Sequence, residues 1–397
     1  MSSSYASVLR RSGAGAFVTA GFLGRLPISM VPLGIVLLIT ATGGNYAVAG
    51  ALSATYALSA AAIGPLGARW IDRRGQAQVI PLLLMGQIAG LIAFVVAASR
   101  DVHGLWLALP LILAGGSAPN IGSLVRARWA AMLSGDPGLR AAFAIEGLVD
   151  EMVFIVGPPL VTTVALTFSE NAALLMCIAL FASGGLWLAS QRRTQPVIRL
   201  PEAGAEHPRF VSGAYLLVTV SLASMGAVFG SFEVTTVAFT RELGHEELTG
   251  VVLALYAVGS LSAGLAYGAR AIQWPAAKQY VVGAIVLVVV CAPLPFVTSL
   301  GLLTVAAFLA GVAVSPLLIL NVSMVEHLVP PARLTEAFTL GTSGLAVGLA
   351  VGSPLSGVLI DNFGAAAGYL VMVGSAAVTM ILAVAGYPTL RRRLAQA

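Results

Sequence analysis

From Leu26 to Ala68 the chain reads LPISMVPLGIVLLITATGGNYAVAGALSATYALSAAAIGPLGA, without one Asp, Glu, Lys or Arg. A helix needs about 20 mostly apolar residues to cross a hydrocarbon core of roughly 30 Å. This run is therefore long enough for two crossings, with Thr42-Gly43-Gly44-Asn45 as the turn between them. The same reading extends over the rest of the chain. Gly75 to Ser99, Val102 to Val125, Met152 to Ser169 and Asn171 to Gln191 each hold one span. Phe210 to Phe232 opens the seventh, Leu248 to Ala269 makes the eighth, and Gln279 to Met324 holds two that turn near Pro293-Leu294-Pro295. Ala337 to Ile360 and Asn362 to Leu390 bring the total to about twelve. A transmembrane β-barrel would instead show short segments of alternating polarity. The first apolar run is also too long, and leads too directly into a second, for a cleavable signal peptide.

Composition agrees. Of 397 residues, 58% are apolar and 9% charged, with mean hydropathy +0.94, against about 45–50% and about 25% in soluble domains. So few charges cannot coat a water-soluble protein of this size, which excludes a cytosolic enzyme and a nucleic-acid binder. Cys177 and Cys291 lie far apart in apolar runs, so no disulfide framework or metal cluster is expected. The formal charge of +5 is carried mostly in the gaps between spans. With the N-terminus inside, 18 basic residues fall on the inner side and only Arg100 and Arg241 on the outer. The positive-inside rule then places both termini in the cytoplasm of a multi-pass protein of the cell's inner (plasma) membrane. Trp70, Trp106, Trp129, Trp187 and Trp274 fall near span ends, where interfacial anchors belong.

The segment from Gln191 to Arg209, with three prolines and four arginines, reads as a linker. It divides an N-terminal six-helix bundle (1–190) from a C-terminal one (210–397). The halves echo each other. Gly50, Ala54, Tyr56, Ala57 and Gly64 recur as Gly250, Ala254, Tyr256, Ala257 and Gly264. Leu139, Ala142, Phe143, Gly157, Pro159 and Leu160 recur as Leu334, Ala337, Phe338, Gly352, Pro354 and Leu355. The expected fold is all-α: twelve transmembrane helices in two pseudo-symmetric bundles. Parallel repeats of this kind hold their substrate near mid-membrane.

The junction of spans two and three, Gly67-Ala68-Arg69-Trp70-Ile71-Asp72-Arg73-Arg74-Gly75-Gln76, resembles the cytoplasmic loop signature of the major facilitator superfamily, Gly-x-x-x-Asp-Arg-x-Gly-Arg. Ala68 stands where the first Gly is expected and Gln76 replaces the final base, while Asp72-Arg73-Arg74-Gly75 is intact. The resemblance implies two rocking halves, a chain that works as a monomer, and a latch made by Asp72, Arg73 and Gly75. In that latch Asp72 would face the N-terminal end of the eleventh helix near Thr335, whose dipole favours an anion. A plain positive-inside loop with one neutralising acid is the alternative. Gly157-Pro158-Pro159 resembles part of an antiporter motif of the fifth helix, but Val161 and Thr162 stand where a glycine pair is expected, and it reads mainly as structural.

Ionisable groups inside spans are costly and mark function by default. Arg25 stands in the first span before Pro27 and needs a partner. At a rise of 1.5 Å per residue it lies about 18 Å deep, and Asp150 of the fifth span about 13 Å deep, so the two can pair. Glu146 and Asp150, four residues apart on one helix face, could instead bind the loop bases Arg126, Arg128 or Arg140. Glu233 is the cleanest candidate. By the repeat it sits about 12 Å nearer the outside than Arg25. Desolvation there disfavours the charged carboxylate, so it can take a proton from one face and release it to the other. The bland alternative is that it bonds Thr235 or Thr236, or faces Arg241. Asp150 and Glu151 are further proton-coupling candidates. Met30, Tyr56, Gln87, Asn120, Tyr256 and Asn321 are the candidate cavity residues.

No phosphate-cradling loop, serine triad or ATP site is present, so no cofactor is expected and a proton gradient is the expected energy source. The expected function is proton-coupled efflux of a small amphipathic molecule by alternating access. A symport importer or facilitator is one alternative; a non-transporting sensor or lipid-handling module on the same fold is another. The expected partners are that small molecule and the lipid bilayer, with no nucleic acid.

Overall fold

The computed structural model describes residues 8–100, 102, 104–133, 136, 138–196, 212–269, 273–329 and 334–394. Among them the regular elements are helices, with no strand. Twelve helices among the described residues are long and apolar enough to cross a membrane. We number them α1 (Ala14–Ala41), α2 (Tyr46–Arg74), α3 (Gln76–Ala98), α4 (Ala108–Met132), α5 (Leu139–Thr167), α6 (Glu170–Ser190), α7 (Gly213–Glu242), α8 (Thr249–Ala269), α9 (Ala276–Cys291), α10 (Leu300–Leu328), α11 (Leu334–Phe363) and α12 (Tyr369–Leu394). In lipid every backbone polar group must be satisfied within the segment, and the helix does this. The surface shows the inversion that a membrane demands: Val289 is 63% exposed while Arg25 is 1% exposed. Most of the expected linker, residues 197–209, lies outside the described residues.

The helix ends carry readable local signals. Asn45, Ser169, Ser212 and Ser299 each accept a backbone N–H from the first turn of the helix that follows, as capping side chains do. Gly75, at φ +87°, lets α2 pass into α3 through a backbone shape that a residue with a Cβ resists. Pro27 interrupts α1 at Leu26, because it has no N–H to donate there.

Two spans differ from the sequence reading. The fourth is not one continuous helix. It runs as Ala108–Gly116 and Ile121–Met132, with Ser117-Ala118-Pro119-Asn120 unwound between them. Pro119 cannot donate an N–H, and the Asn120 side chain accepts from Ser123 N at 3.1 Å, so a fresh helix starts there. Trp129 is not an interfacial anchor. It is fully buried, edge-on to Phe17 at 4.7 Å, and its indole N–H is bonded inside the protein. Trp70, Trp106, Trp187 and Trp274 remain exposed.

The chain forms two compact units. The first comprises Met1–Thr42 and Ser59–Ala203; the second comprises Gly43–Leu58 and Gly204–Ala397. The segment Gly43–Leu58, which includes the start of α2 from Tyr46, falls in the second unit. In the first unit α1 lies on α6 and α5. Gly184 meets the Gly24 backbone so closely that a Cβ would overlap it, and Gly157 fits in the same way over Ser29. In the second unit α7 and α11 cross through Gly226, Gly230, Gly348 and Gly352; a Cβ on Gly352 would lie 2.5 Å from the Ala227 carbonyl oxygen. Lipid offers no hydrophobic drive between helices, so close backbone approach through small residues supplies the packing. Gly157 against α1 and Gly352 against α7 are the repeat seen in sequence: each unit keeps a glycine at the same crossing.

Candidate functional site: ionisable groups within the spans

The first unit gathers its charges into one cluster. Arg25 is at the α1 interruption, one turn beyond Gly21, whose carbonyl accepts from its Nε at 3.1 Å. Its Nη1 donates to Asp150 Oδ1 at 2.8 Å and its Nη2 donates to Glu146 Oε2. Glu146 Oε1 in turn accepts the Trp129 indole N–H at 2.9 Å. Arg126 of α4 completes the group by donating to the other oxygen of Asp150. Glu146 and Asp150 lie one turn apart on α5, so one guanidinium spans both. Two cations and two anions balance, which is what allows Arg25 and Glu146 to stay dehydrated. Glu151, half-buried beside Asp150, takes part in none of the ion pairs among the described residues.

Arg128, one of the bases considered for Glu146, is occupied elsewhere. It is fully buried and donates to Gln76 Oε1 at 2.7 Å, Leu188 O at 2.8 Å, Gln191 O at 3.1 Å and Thr194 Oγ1 at 2.7 Å. It closes the carbonyl end of α6 and ties it to the start of α3, where Gln195 Oε1 accepts Ala77 N–H at 2.7 Å. Nothing in its sequence context separates Arg128 from the half-buried Arg126; only the packed helix ends do. Of the latch residues, Asp72 and Arg73 are exposed, and Gly75 is buried against Gln195. The Thr335 side chain lies outside the described residues.

In the second unit the functional candidate is Glu233. It lies on α7, where Phe232 and Val234 are buried to either side. Its Oε1 is buried, and among the described residues it has no hydrogen-bond partner and takes part in no ion pair. Thr235, considered as its partner, also has a buried hydroxyl with no hydrogen-bond partner among the described residues, while Thr236 shares a 3.2 Å bond with Tyr369. Arg241 pairs with Glu246 at 3.1 Å.

The cavity candidates have separate fates. Met30 is fully buried under Gly157, Tyr56 and Gln87 are buried, and Asn120 is the helix cap of α4. Asn321 is fully buried and committed to the protein. Its Nδ2 donates to Leu317 O at 2.8 Å and its Oδ1 accepts from Tyr280 at 3.3 Å. Tyr256 is buried and stacks on Phe232 at a centroid distance of 4.4 Å; its hydroxyl has no partner among the described residues.

Residues 216–396 match the family model of the Major Facilitator Superfamily. No curated relative matches the chain. Among solved structures, the chain is similar to a point mutant of the nucleoside transporter NupG, with 14% identity, 94% of this chain and 98% of that one covered, and a TM-score of 0.72. It is similar to a point mutant of the peptide transporter POT in complex with alafosfalin, with 14% identity, 99% of each chain covered, and a TM-score of 0.74. It is also similar to the human organic anion transporter MFSD10 (TETRAN), with 18% identity, 93% and 99% covered, and a TM-score of 0.63. At these identities the likeness is one of fold, and that fold extends over nearly the whole chain. The family's sequence match covers the second half of this multi-pass membrane protein, and the likeness of fold to these transporters covers nearly all of it, with twelve spans among the described residues.

Proposed function

We propose that the protein is a secondary active transporter that moves a small amphipathic molecule out of the cell in exchange for protons. The proton gradient drives the exchange through alternating access of the two halves, with Glu233 as the group that carries the proton. The observation that supports this most is the Glu233 carboxyl. A carboxyl with a buried, unbonded oxygen and no cationic partner among the described residues is open to exchange a proton as its surroundings change. Asp150 suits that task less well, because both of its oxygens already accept from arginines, one from Arg25 and the other from Arg126. Glu151 keeps a secondary place in the reading, since no arginine engages it among the described residues. The apolar residues beside Glu233, namely Phe229, Phe232 and Val234, support an amphipathic cargo over a polyol, and the protein works as a monomer in the inner membrane. Asp72 and Arg73, exposed at the end of α2, serve as the latch.

The test is transport in proteoliposomes with an imposed pH gradient and an internal pH dye. The wild type should show substrate-dependent proton movement opposite to substrate flux, and Glu233→Gln should lose it. Unchanged proton release in Glu233→Gln would remove the proton-carrier role. Proton and substrate moving in the same direction would replace exchange by symport.

A further inference from the structure

Between Ser224 and Thr240, α7 leaves only two residues short of full burial, Phe229 and Glu233. They are four positions apart and so lie one above the other on a single helix face. The face is built rather than incidental. Phe229 stands edge-on to Tyr256 at 6.2 Å, and Tyr256 is itself stacked on Phe232 at 4.4 Å, which holds the Phe229 ring in place. Beside that ring is a carboxyl whose Oε1 is buried and unbonded, with no ion pair to satisfy it among the described residues.

An aromatic face next to an uncompensated carboxylate matches one chemistry, an organic cation. The ring attracts positive charge through its quadrupole and the carboxylate neutralises it, while apolar surroundings suit the rest of such a molecule. A metal ion is a poor fit. Hard cations take six or more oxygen ligands, or keep several waters, and no group of His, Cys, Asp and Glu able to hold a metal occurs among the described residues. An anion would meet the carboxylate head-on.

We propose that Phe229 and Glu233 form the subsite that receives the positively charged end of the cargo, so that the cargo is an organic monocation with an apolar body. The inference rests on the transport reading only in taking this face as one that cargo reaches. It adds a consequence: one carboxyl holds either a proton or the cation, never both, so each displaces the other.

The test separates charge from shape. Equilibrium binding of tetraphenylphosphonium and of tetraphenylborate, which share a shape and differ in sign, is measured on the purified full chain without any gradient. The wild type should bind the phosphonium and exclude the borate. Glu233→Gln, close in shape, should weaken phosphonium binding at least tenfold. Phe229→Leu should weaken it about threefold or more, and Phe229→Trp should keep it. Each variant is first checked for a monodisperse profile; if Glu233→Gln fails that check, the Phe229 pair decides. Equal binding of both ions, binding of neither, or variants that bind like the wild type would overturn the subsite. Phosphonium binding at Glu233 without proton-driven flux would leave the subsite standing and remove proton exchange. Proton-coupled flux of another cargo without phosphonium binding would do the reverse.

Discussion

Replacing Glu146 by Gln tests whether the charge cluster of the first unit is a balanced, dry assembly. Glu146 is fully buried, pairs through Oε2 with an Arg25 side chain that is 1% exposed, and accepts the Trp129 N–H through Oε1 at 2.9 Å. A glutamine keeps the bond to Trp129 but turns an N–H₂ toward the guanidinium, donor against donor. Arg25 then retains Asp150 at 2.8 Å and the Gly21 carbonyl at 3.1 Å. Breaking one arm of a buried pair costs about 3–5 kcal/mol, mostly because a charge is left uncompensated. Asp150→Asn is the built-in comparison. Its side chain is 38% exposed, so water replaces much of what is lost, and about 1 kcal/mol is expected. Removing both charges in Arg25→Met with Glu146→Gln leaves no bare ion and should recover at least about 2 kcal/mol relative to the sum of the single changes. Unfolding in mixed micelles, followed with a thiol-reactive dye, reads the three single variants and the double variant against the wild type, because Cys177 and Cys291 are free and buried until the helices separate. Equal losses for Glu146→Gln and Asp150→Asn, or strict additivity in the double variant, would refute the account of a dry cluster whose charges depend on one another.

Three further expectations follow from contacts elsewhere in the chain. Asp361 accepts the first two N–H groups of α2, Tyr46 at 3.1 Å and Ala47 at 3.0 Å, so Asp361→Ala should cost about 1–2 kcal/mol by uncapping that end, and Asp361→Asn less. Gly348→Val should abolish a monodisperse protein, since any Cβ there runs into the Ala223 carbonyl, whereas Gly374→Ala, with nothing within 4 Å, should behave as wild type. Arg128→Met strips four acceptors of their donor inside the first unit; it should destabilise by about 3 kcal/mol or more and speed proteolysis after Ser190, and an unchanged cleavage rate would remove its role in fastening that segment.

Much of the fold was legible because a membrane imposes a crude rule that any chain must obey. Twelve apolar runs, the turn at Thr42–Asn45 and the end of α2 near Gly75 all follow from hydropathy and from glycine. The unwound stretch of α4 was hidden because Ser117-Ala118-Pro119-Asn120 is uncharged and leaves the hydropathy of its span unbroken, although Pro119 next to an asparagine was a usable signal. Trp129 misled because composition places tryptophan at interfaces, and only the Phe17 ring and the Glu146 carboxylate show that this one faces inward.

Sequence alone determined that the chain crosses lipid about twelve times, that its halves repeat, and that Arg25, Asp150 and Glu233 are ionisable side chains where charge is expensive. Those conclusions depend on transfer free energies, which belong to each residue separately. Which ions meet was decided only in three dimensions. Arg126 and Arg128 are two residues apart on one helix, yet one joins Asp150 and the other holds the end of α6, while Glu233 is left with none among the described residues. A pairing is a property of distance and direction between elements, and the one-dimensional order of residues does not contain it.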